Sequence, residues 1–128
     1  MKIMVVDDEV AQLWVDVLKS EGFEVDGFNC PVEAEKAFGL KEYDLLVSDF
    51  SMPKIMGDEL LMRLKKKKPP LRALMVSGHM DAPMAAQTAG YDVFVSKPAS
   101  IGEFLRGVRS AIDSHRTDER DATERILP

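Results

Sequence analysis

Seven residues of the 128-residue chain sit where phosphate chemistry is easy to write. Asp7 and Asp8 follow the apolar run KIMVV (2–6), with Glu9 behind them. Asp49 ends the run LLVS inside LLVSDFSMP (45–53), Ser77 follows LRALMV (71–76), and Ser96 and Lys97 follow YDVFV (91–95). Clustered carboxylates raise one another's pKa unless a cation sits among them. Mg2+ suits such a cluster, because it binds through one or two carboxylates, keeps several waters and takes phosphate oxygens as further ligands. A lysine offers a point charge to a phosphoryl oxygen, a serine hydroxyl donates to another, and an aspartate free to attack forms an acyl phosphate. Phosphoryl transfer is catalysed mainly by positioning and charge neutralisation, so this set suffices once the fold brings it together. Singly, each residue has a plain explanation. An Asp after a strand turns the chain or caps a helix, and SGH (77–79) and KP (97–98) read as loops.

The elements that must position these residues alternate in two patterns. Short apolar runs rich in β-branched residues occur at KIMVV (2–6), FEVDGF (23–28), YDLLVS (43–48), LRALMV (71–76) and YDVFV (91–95). Between them lies a helical period. Val10, Leu13, Trp14 and Val17 fall on one face. Ala34, Ala37 and Phe38 follow Pro31, which suits a helix's first turn. Leu60, Leu61 and Leu64 follow Gly57. Ala85, Ala86 and Ala89 follow Pro83 and stop at Gly90, a C-terminal cap. Ile101, Phe104, Leu105, Val108 and Ile112 form the last stripe, opened by Ser100 and Glu103 at capping-box spacing. Five β-α repeats predict an α/β fold with a parallel sheet and helices on both faces. Continuous apolar runs fit strands buried on both sides. FEVDGF alternates, which predicts an edge strand, and it is followed only by Asn29 and Cys30. The carboxyl ends of the other strands, where ligands bind in such sheets, bring Asp7, Asp8, Asp49, Ser77 and Lys97 to one rim. KKKK (65–68) reads as the solvated end of the third helix, where cations suit the helix dipole. Beyond Ile112 the chain reads as a helix end and a frayed polar tail.

On VVDDE (5–9), DFSMPKIMGDEL (49–60), MVSGH (75–79) and FVSKP (94–98), the chain resembles the receiver domain of bacterial two-component response regulators. The resemblance covers about residues 2–113 and implies a three-layer α/β/α flavodoxin-like (βα)5 fold with strand order 2-1-3-4-5. It places a receiver domain at 1–116 and a tail at 117–128. It implies that Asp49 takes a phosphoryl group from a histidine kinase or histidine phosphotransfer protein, with Mg2+ as cofactor. Asp8, Asp49 and the Ser51 carbonyl would hold the metal, and Asp7 would act on it mainly through water. Lys97 would pair with the phosphoryl group, and its bond to Pro98 would be cis. Ser77, in the position more commonly threonine, would close on a phosphoryl oxygen. Phe94, three before the lysine, would turn into the space vacated and change the surface of the fourth helix, fifth strand and fifth helix. Ser51 and His79, each two beyond a site residue, occupy positions that tune the lifetime of the acyl phosphate. Such a protein catalyses only its own phosphorylation and dephosphorylation and is otherwise no enzyme.

Composition narrows the partners. The formal net charge of −5 opposes a nucleic-acid surface. No apolar segment approaches the ~20 residues of a membrane span, and MKIMVVDDE is no signal peptide. The lone Cys30 excludes an internal disulfide and a multi-cysteine zinc site. A cytoplasmic protein is expected, with a kinase upstream and a protein target downstream. The mixed charges around the fourth helix and fifth strand permit, without requiring, a phosphorylation-dependent homodimer. Two rivals compete. A haloacid-dehalogenase-type phosphatase also forms an aspartyl phosphate, but its D-x-D is replaced here by Asp7-Asp8-Glu9 and the chain has no room for a cap domain. A receiver-like module that is never phosphorylated has every acceptor-site position filled to contend with. A DNA-binding output domain needs a further ~60 residues, so the chain reads as a stand-alone receiver or one cut from a longer protein.

Overall fold

The computed structural model describes the backbone of residues 1–126 and the side chains of residues 1–114. Strands and helices alternate strictly: β1 (Lys2–Val6), α1 (Ala11–Ser20), β2 (Glu24–Phe28), α2 (Pro31–Phe38), β3 (Leu45–Ser48), α3 (Gly57–Lys67), β4 (Arg72–Ser77), α4 (Ala82–Ala89), β5 (Val93–Ser96) and α5 (Ile101–Ile126). The sheet order is β2-β1-β3-β4-β5, parallel throughout. Three layers result, as expected for strands joined by helical crossovers. On one face Met4, Leu46 and Met75 pack under α2, α3 and α4 with Ala34, Leu60, Leu61, Leu64 and Ala86. On the other, Ile3, Val5, Val47, Leu74 and Val76 pack under α1 and α5 with Trp14, Leu18, Phe104 and Val108. Period 2 along each interior strand sends its residues to these two cores in turn. The alternating strand β2 does lie at the edge.

Three elements depart from the sequence reading. The buried stripe of α1 is Ala11, Trp14, Val15 and Leu18, with Val17 beside it, while Leu13 is 50% exposed. Val10 is the N-cap rather than a helical residue. The reason is tertiary: Val15 packs so closely over Gly27 of β2 that a Cβ there would collide with it, which rotates Leu13 outward. Second, KKKK is not wholly solvated. Lys65 Nζ donates to Gly90 O at 3.1 Å, and Lys68 Nζ donates to Tyr43 O at 2.6 Å while pairing with Glu42 and Asp44. Third, α5 continues past Ile112 to Ile126. TDERDATERI carries strong helix formers and neither Gly nor Pro to stop it. The side chains of the segment read as a polar tail lie outside the described residues. The caps at Gly90 (φ 96) and Ser100, whose Oγ accepts the Glu103 N–H at 3.1 Å, form as the sequence predicts.

At the end of the sheet away from the rim, Tyr43 Oη donates to Asp26 Oδ2 at 2.6 Å, with Lys2 and Lys41 at 3.6 and 3.4 Å. The phenol, and then the two ammonium groups, outweigh burial and hold the Asp26 carboxyl below the usual carboxylate range. A depressed folded pKa stabilises above the unfolded value and is lost as pH falls through the folded one. Tyr43→Phe is therefore expected to cost about 1 kcal/mol at neutral pH. The deficit should shrink as pH drops below about 4. Urea melts of both proteins across that range check it, and a deficit independent of pH would refute the assignment.

Candidate functional site

The rim is an extension of the sheet. Asp7 N–H donates to Phe28 O at 3.0 Å, Asp49 N–H to Val6 O at 3.0 Å, and Lys97 N–H to Ser77 O at 3.0 Å. Each strand thus carries its ladder one residue further, and the backbones of the polar residues are fixed before their side chains are considered. This is why acids follow these strands: the chain must leave the sheet there, and the backbone that turns is held from the neighbouring strand.

The side chains converge. Asp7 is 2% exposed, and its Oδ1 accepts the N–H groups of Glu9 and Val10 at 2.9 and 3.1 Å, which fixes the turn that leads into α1. Its Oδ2 accepts from Lys97 Nζ at 2.8 Å. The same ammonium reaches Asp49 Oδ2 at 3.2 Å, and Asp49 Oδ1 accepts the Phe50 N–H at 2.7 Å. Carboxylate oxygens of Asp7, Asp8 and Asp49 lie within 4.8 Å of one another. Three carboxylates against one ammonium leave two negative charges in excess at formal charge. Burial alone would lower the Lys97 pKa, but its contacts with Asp7 and Asp49 prevail and raise it, so it stays a cation. An all-oxygen donor set with surplus negative charge, open to solvent at Asp8, fits Mg2+ and its retained waters.

The remaining predicted residues share this rim. Ser77 is 2% exposed, and its Oγ accepts the His79 N–H at 3.3 Å. His79 Nδ1 accepts the Asp81 N–H at 3.1 Å, and its ring meets Phe50 edge-on at 5.2 Å, against the residue next to Asp49. Ser51 is exposed in the β3–α3 loop. Phe94 stands opposite Met75 in the sheet register and packs half-buried on the α4 side of the core. The Lys97–Pro98 bond is cis. Asn29 belongs to an open acidic cleft beside Asp7, Asp8 and Glu9, and the half-buried Cys30 is the N-cap of α2.

Two features of the loop after Asp49 go beyond the sequence reading. Lys54 has φ 71, and the Ile55 N–H donates to Pro53 O at 2.8 Å, a three-residue turn in a region few non-glycine residues enter. Gly57 N–H donates to Phe50 O at 2.7 Å, and a Cβ on Gly57 would collide with the Asp49 carbonyl oxygen. Gly57→Ala is therefore expected to displace the Asp49 backbone and cost about 1–3 kcal/mol of stability. Chemical denaturation measures the cost, and a neutral outcome would show that the loop yields freely.

An alternating (βα)5 sheet with three acids, a hydroxyl and a lysine on one rim defines a phosphoacceptor receiver, a class of signalling domain. Residues 3–109 match the family model for the response regulator receiver domain, and the chain belongs to that family. A response regulator receiver domain protein from Clostridium thermocellum superposes with a TM-score of 0.81 at 26% identity, over 91% of this chain and 97% of that one. The response regulator TrrA from Thermotoga maritima, solved with Mg2+ and BeF, gives a TM-score of 0.76 at 30% identity over 86% of this chain and 97% of that one. Among curated proteins, the DNA-binding transcriptional regulator NtrC of Escherichia coli is 30% identical over 92% of this chain, which spans 26% of NtrC. No described helix is long and apolar enough to cross a membrane.

Proposed function

We propose that Asp49 accepts a phosphoryl group from a phosphohistidine and that the resulting change of surface is the signal. The observation that carries this reading is the single ammonium of Lys97 between Asp7 and Asp49 at 2.8 and 3.2 Å, beside the exposed Asp8. An Asp49 carboxylate oxygen attacks phosphorus, the phosphorus–nitrogen bond breaks, and its electron pair returns to the donor imidazole, which takes up a proton. Lys97 is placed to shift toward the new phosphoryl oxygens. Asp8, Asp49 and the Ser51 carbonyl would hold Mg2+, with Asp7 acting mainly through water. The metal supplies neutralisation of phosphoryl charge. Water later attacks phosphorus, releasing inorganic phosphate and restoring the carboxylate. Self-catalysis of these two steps is the protein's whole enzymology. Ser51 and His79, at the two positions that tune the lifetime of the acyl phosphate in receivers, would set its rate.

Output follows from a population shift. A phosphoryl oxygen that bonds Ser77 better in one conformation favours that conformation. Ser77 moves inward, Phe94 turns into the vacated space, and the face of α4, β5 and α5 changes. A histidine kinase or histidine phosphotransfer protein is the donor, and a protein target reads the face in the cytoplasm, with a second copy of the chain as one candidate reader. The receiver occupies residues 1–116, and 117–128 lie outside it. The DNA-binding named for NtrC belongs to a chain of which this one spans 26%, and nothing in the net charge of −5 favours it here. The Mg2+ and BeF bound by the relative from Thermotoga maritima support the same chemistry for this rim. Intact mass after incubation with acetyl phosphate and Mg2+ tests the proposal: gain of one phosphoryl group is expected. No gain, together with no response to beryllofluoride, would leave a module that works unphosphorylated.

A further inference from the structure

Tyr91 is one of two tyrosines in the chain and is 9% exposed. The chemistry at Asp49 does not call for it. The chain from Gly90 to Asp92 is held from three sides. The Tyr91 N–H donates to Ala86 O at 2.9 Å, alongside Gly90 N–H on the same oxygen at 3.1 Å, closing α4 in a Schellman-type cap. Lys65 of α3 holds the neighbouring Gly90 O at 3.1 Å. Asp92 pairs with Ala73 of β4 in both directions, at 2.9 and 2.8 Å. From this anchor at the entry of β5 the phenol reaches the entry of α3, where Oη donates to Gly57 O at 2.7 Å in a fully buried bond.

Gly57 is the residue on which the acceptor rests. Its Cα lies against the Asp49 carbonyl so tightly that no Cβ fits, and its N–H holds Phe50 O at 2.7 Å. Phe50 N–H in turn holds Asp49 Oδ1 at 2.7 Å, and Ser48 Oγ holds Asp49 O at 2.8 Å. One run of buried and part-buried contacts therefore links the α4–β5 connection to both ends of the Asp49 residue, backbone and carboxylate. The phenol is a permanent donor: burial raises its pKa far above the ordinary tyrosine value, the Ser48 hydroxyl opposes this, and the negative charges of Asp58 and Asp49 add to it. A phenylalanine would fill the same space and drop the link.

We propose that Tyr91 is a positioning residue for phosphoryl acceptance, its hydroxyl pinning the first turn of α3 beneath Asp49 and tying the acceptor loop to the α4–β5 connection. This rests on the reading of Asp49 as acceptor. It adds a second line from the acceptor to the output face, separate from Ser77 and Phe94. Whatever moves the Asp49 carbonyl on phosphorylation moves Gly57, and the Gly57 carbonyl carries Tyr91 with it.

The test compares wild type, Tyr91→Phe and Tyr43→Phe. The last loses an equally short tyrosine bond, 2.6 Å to Asp26, at the far end of β3. Three readouts are taken: the rate of mass gain with acetyl phosphate and Mg2+, the calorimetric Mg2+ Kd, and the 13Cζ shifts of the two tyrosines upon beryllofluoride addition. Tyr91→Phe is expected to be phosphorylated about tenfold more slowly and to bind Mg2+ several-fold more weakly, since small misplacements of a reacting group carry such penalties. Tyr43→Phe should match wild type in both, and only the Tyr91 signal should move with beryllofluoride. A Tyr91→Phe protein with wild-type rate and Kd, or equal losses in both variants, would overturn the proposal. If wild type neither gains mass nor responds to beryllofluoride, the acceptor reading fails, and the Mg2+ Kd of Tyr91→Phe alone decides for or against the positioning role.

Discussion

Asp49→Asn is expected to take phosphoryl incorporation to zero while leaving the fold in place. The amide cannot form an acyl phosphate, and neither Asp7 nor Asp8 stands in for it. Asp7 is occupied by two backbone N–H groups on one oxygen and Lys97 on the other, and is nearly sealed from solvent. Asp8 is exposed and lacks the pinned backbone of Asp49, whose N–H is held by Val6 O at 3.0 Å. The substitution is nearly isosteric, and Asn Oδ1 can keep the Phe50 N–H. Lys97 loses its 3.2 Å partner but retains Asp7 at 2.8 Å. Removing one of three crowded carboxylates also relieves repulsion, so stability should stay within about 1 kcal/mol of wild type. Mg2+ affinity should fall on the order of tenfold or more, because one full charge leaves a partly buried cluster. Intact mass, a urea melt and a calorimetric Mg2+ titration read the three outcomes separately. Phosphoryl incorporation by the Asn variant would move the acceptor elsewhere and remove the basis of the mechanism.

A residue's role is legible in the sequence where that role is local. Asp7, Asp49, Ser77 and Lys97 were legible because each breaks an apolar run, and the strand ends of a parallel α/β sheet share one edge by topology. The edge place of β2 was legible in its alternation. Leu13 was not, because its neighbours on either side of the helix are also apolar and only the close approach of Val15 to Gly27 decides the rotation. The extent of α5 is not legible in the apolar period, because loss of that period is not loss of helix propensity. Lys65 and Lys68 looked like solvated charge, since their acceptors are backbone carbonyls 25 residues away in sequence. Tyr91 belongs to the same class. Beside Asp92 and Val93 it reads as one more strand aromatic, and its bond to Gly57 crosses 34 residues. Lys54 carries no residue-type signal for φ 71, which Asn or Gly would have given.

Phe104→Ala is expected to be the most destabilising of these substitutions, by about 3–5 kcal/mol. Phe104 is fully buried, and its ring stacks on Trp14 at 4.1 Å between centroids and 16° between planes. This pair joins α5 to α1 across the core that also contains Leu74 and Val76. Trp14 Nε1 is buried without a hydrogen-bond partner, so the contact rests on apolar packing alone, with no polar bond to survive the truncation. The neighbours have little freedom to refill the space. Gly107 of α5 already approaches β5 so closely that a Cβ there would press on Val95 and Leu74. A cavity should therefore persist, and cavity cost adds to lost transfer energy. Against a total stability of about 5–15 kcal/mol the loss is large. Trp14 is the sole tryptophan in the chain, so its fluorescence reports both the unfolding midpoint in urea and the red shift expected as water reaches the ring. A loss below about 1.5 kcal/mol would mean that α5 settles inward onto the sheet and that Phe104 does not hold α1 in place. With the larger loss, Phe104→Ala should lower the unfolding midpoint while the folded fraction still gains one phosphoryl group from acetyl phosphate. The stack lies on the face of the sheet under α1 and α5, whereas the loop that carries Asp49 is secured from β1, β3 and the first turn of α3.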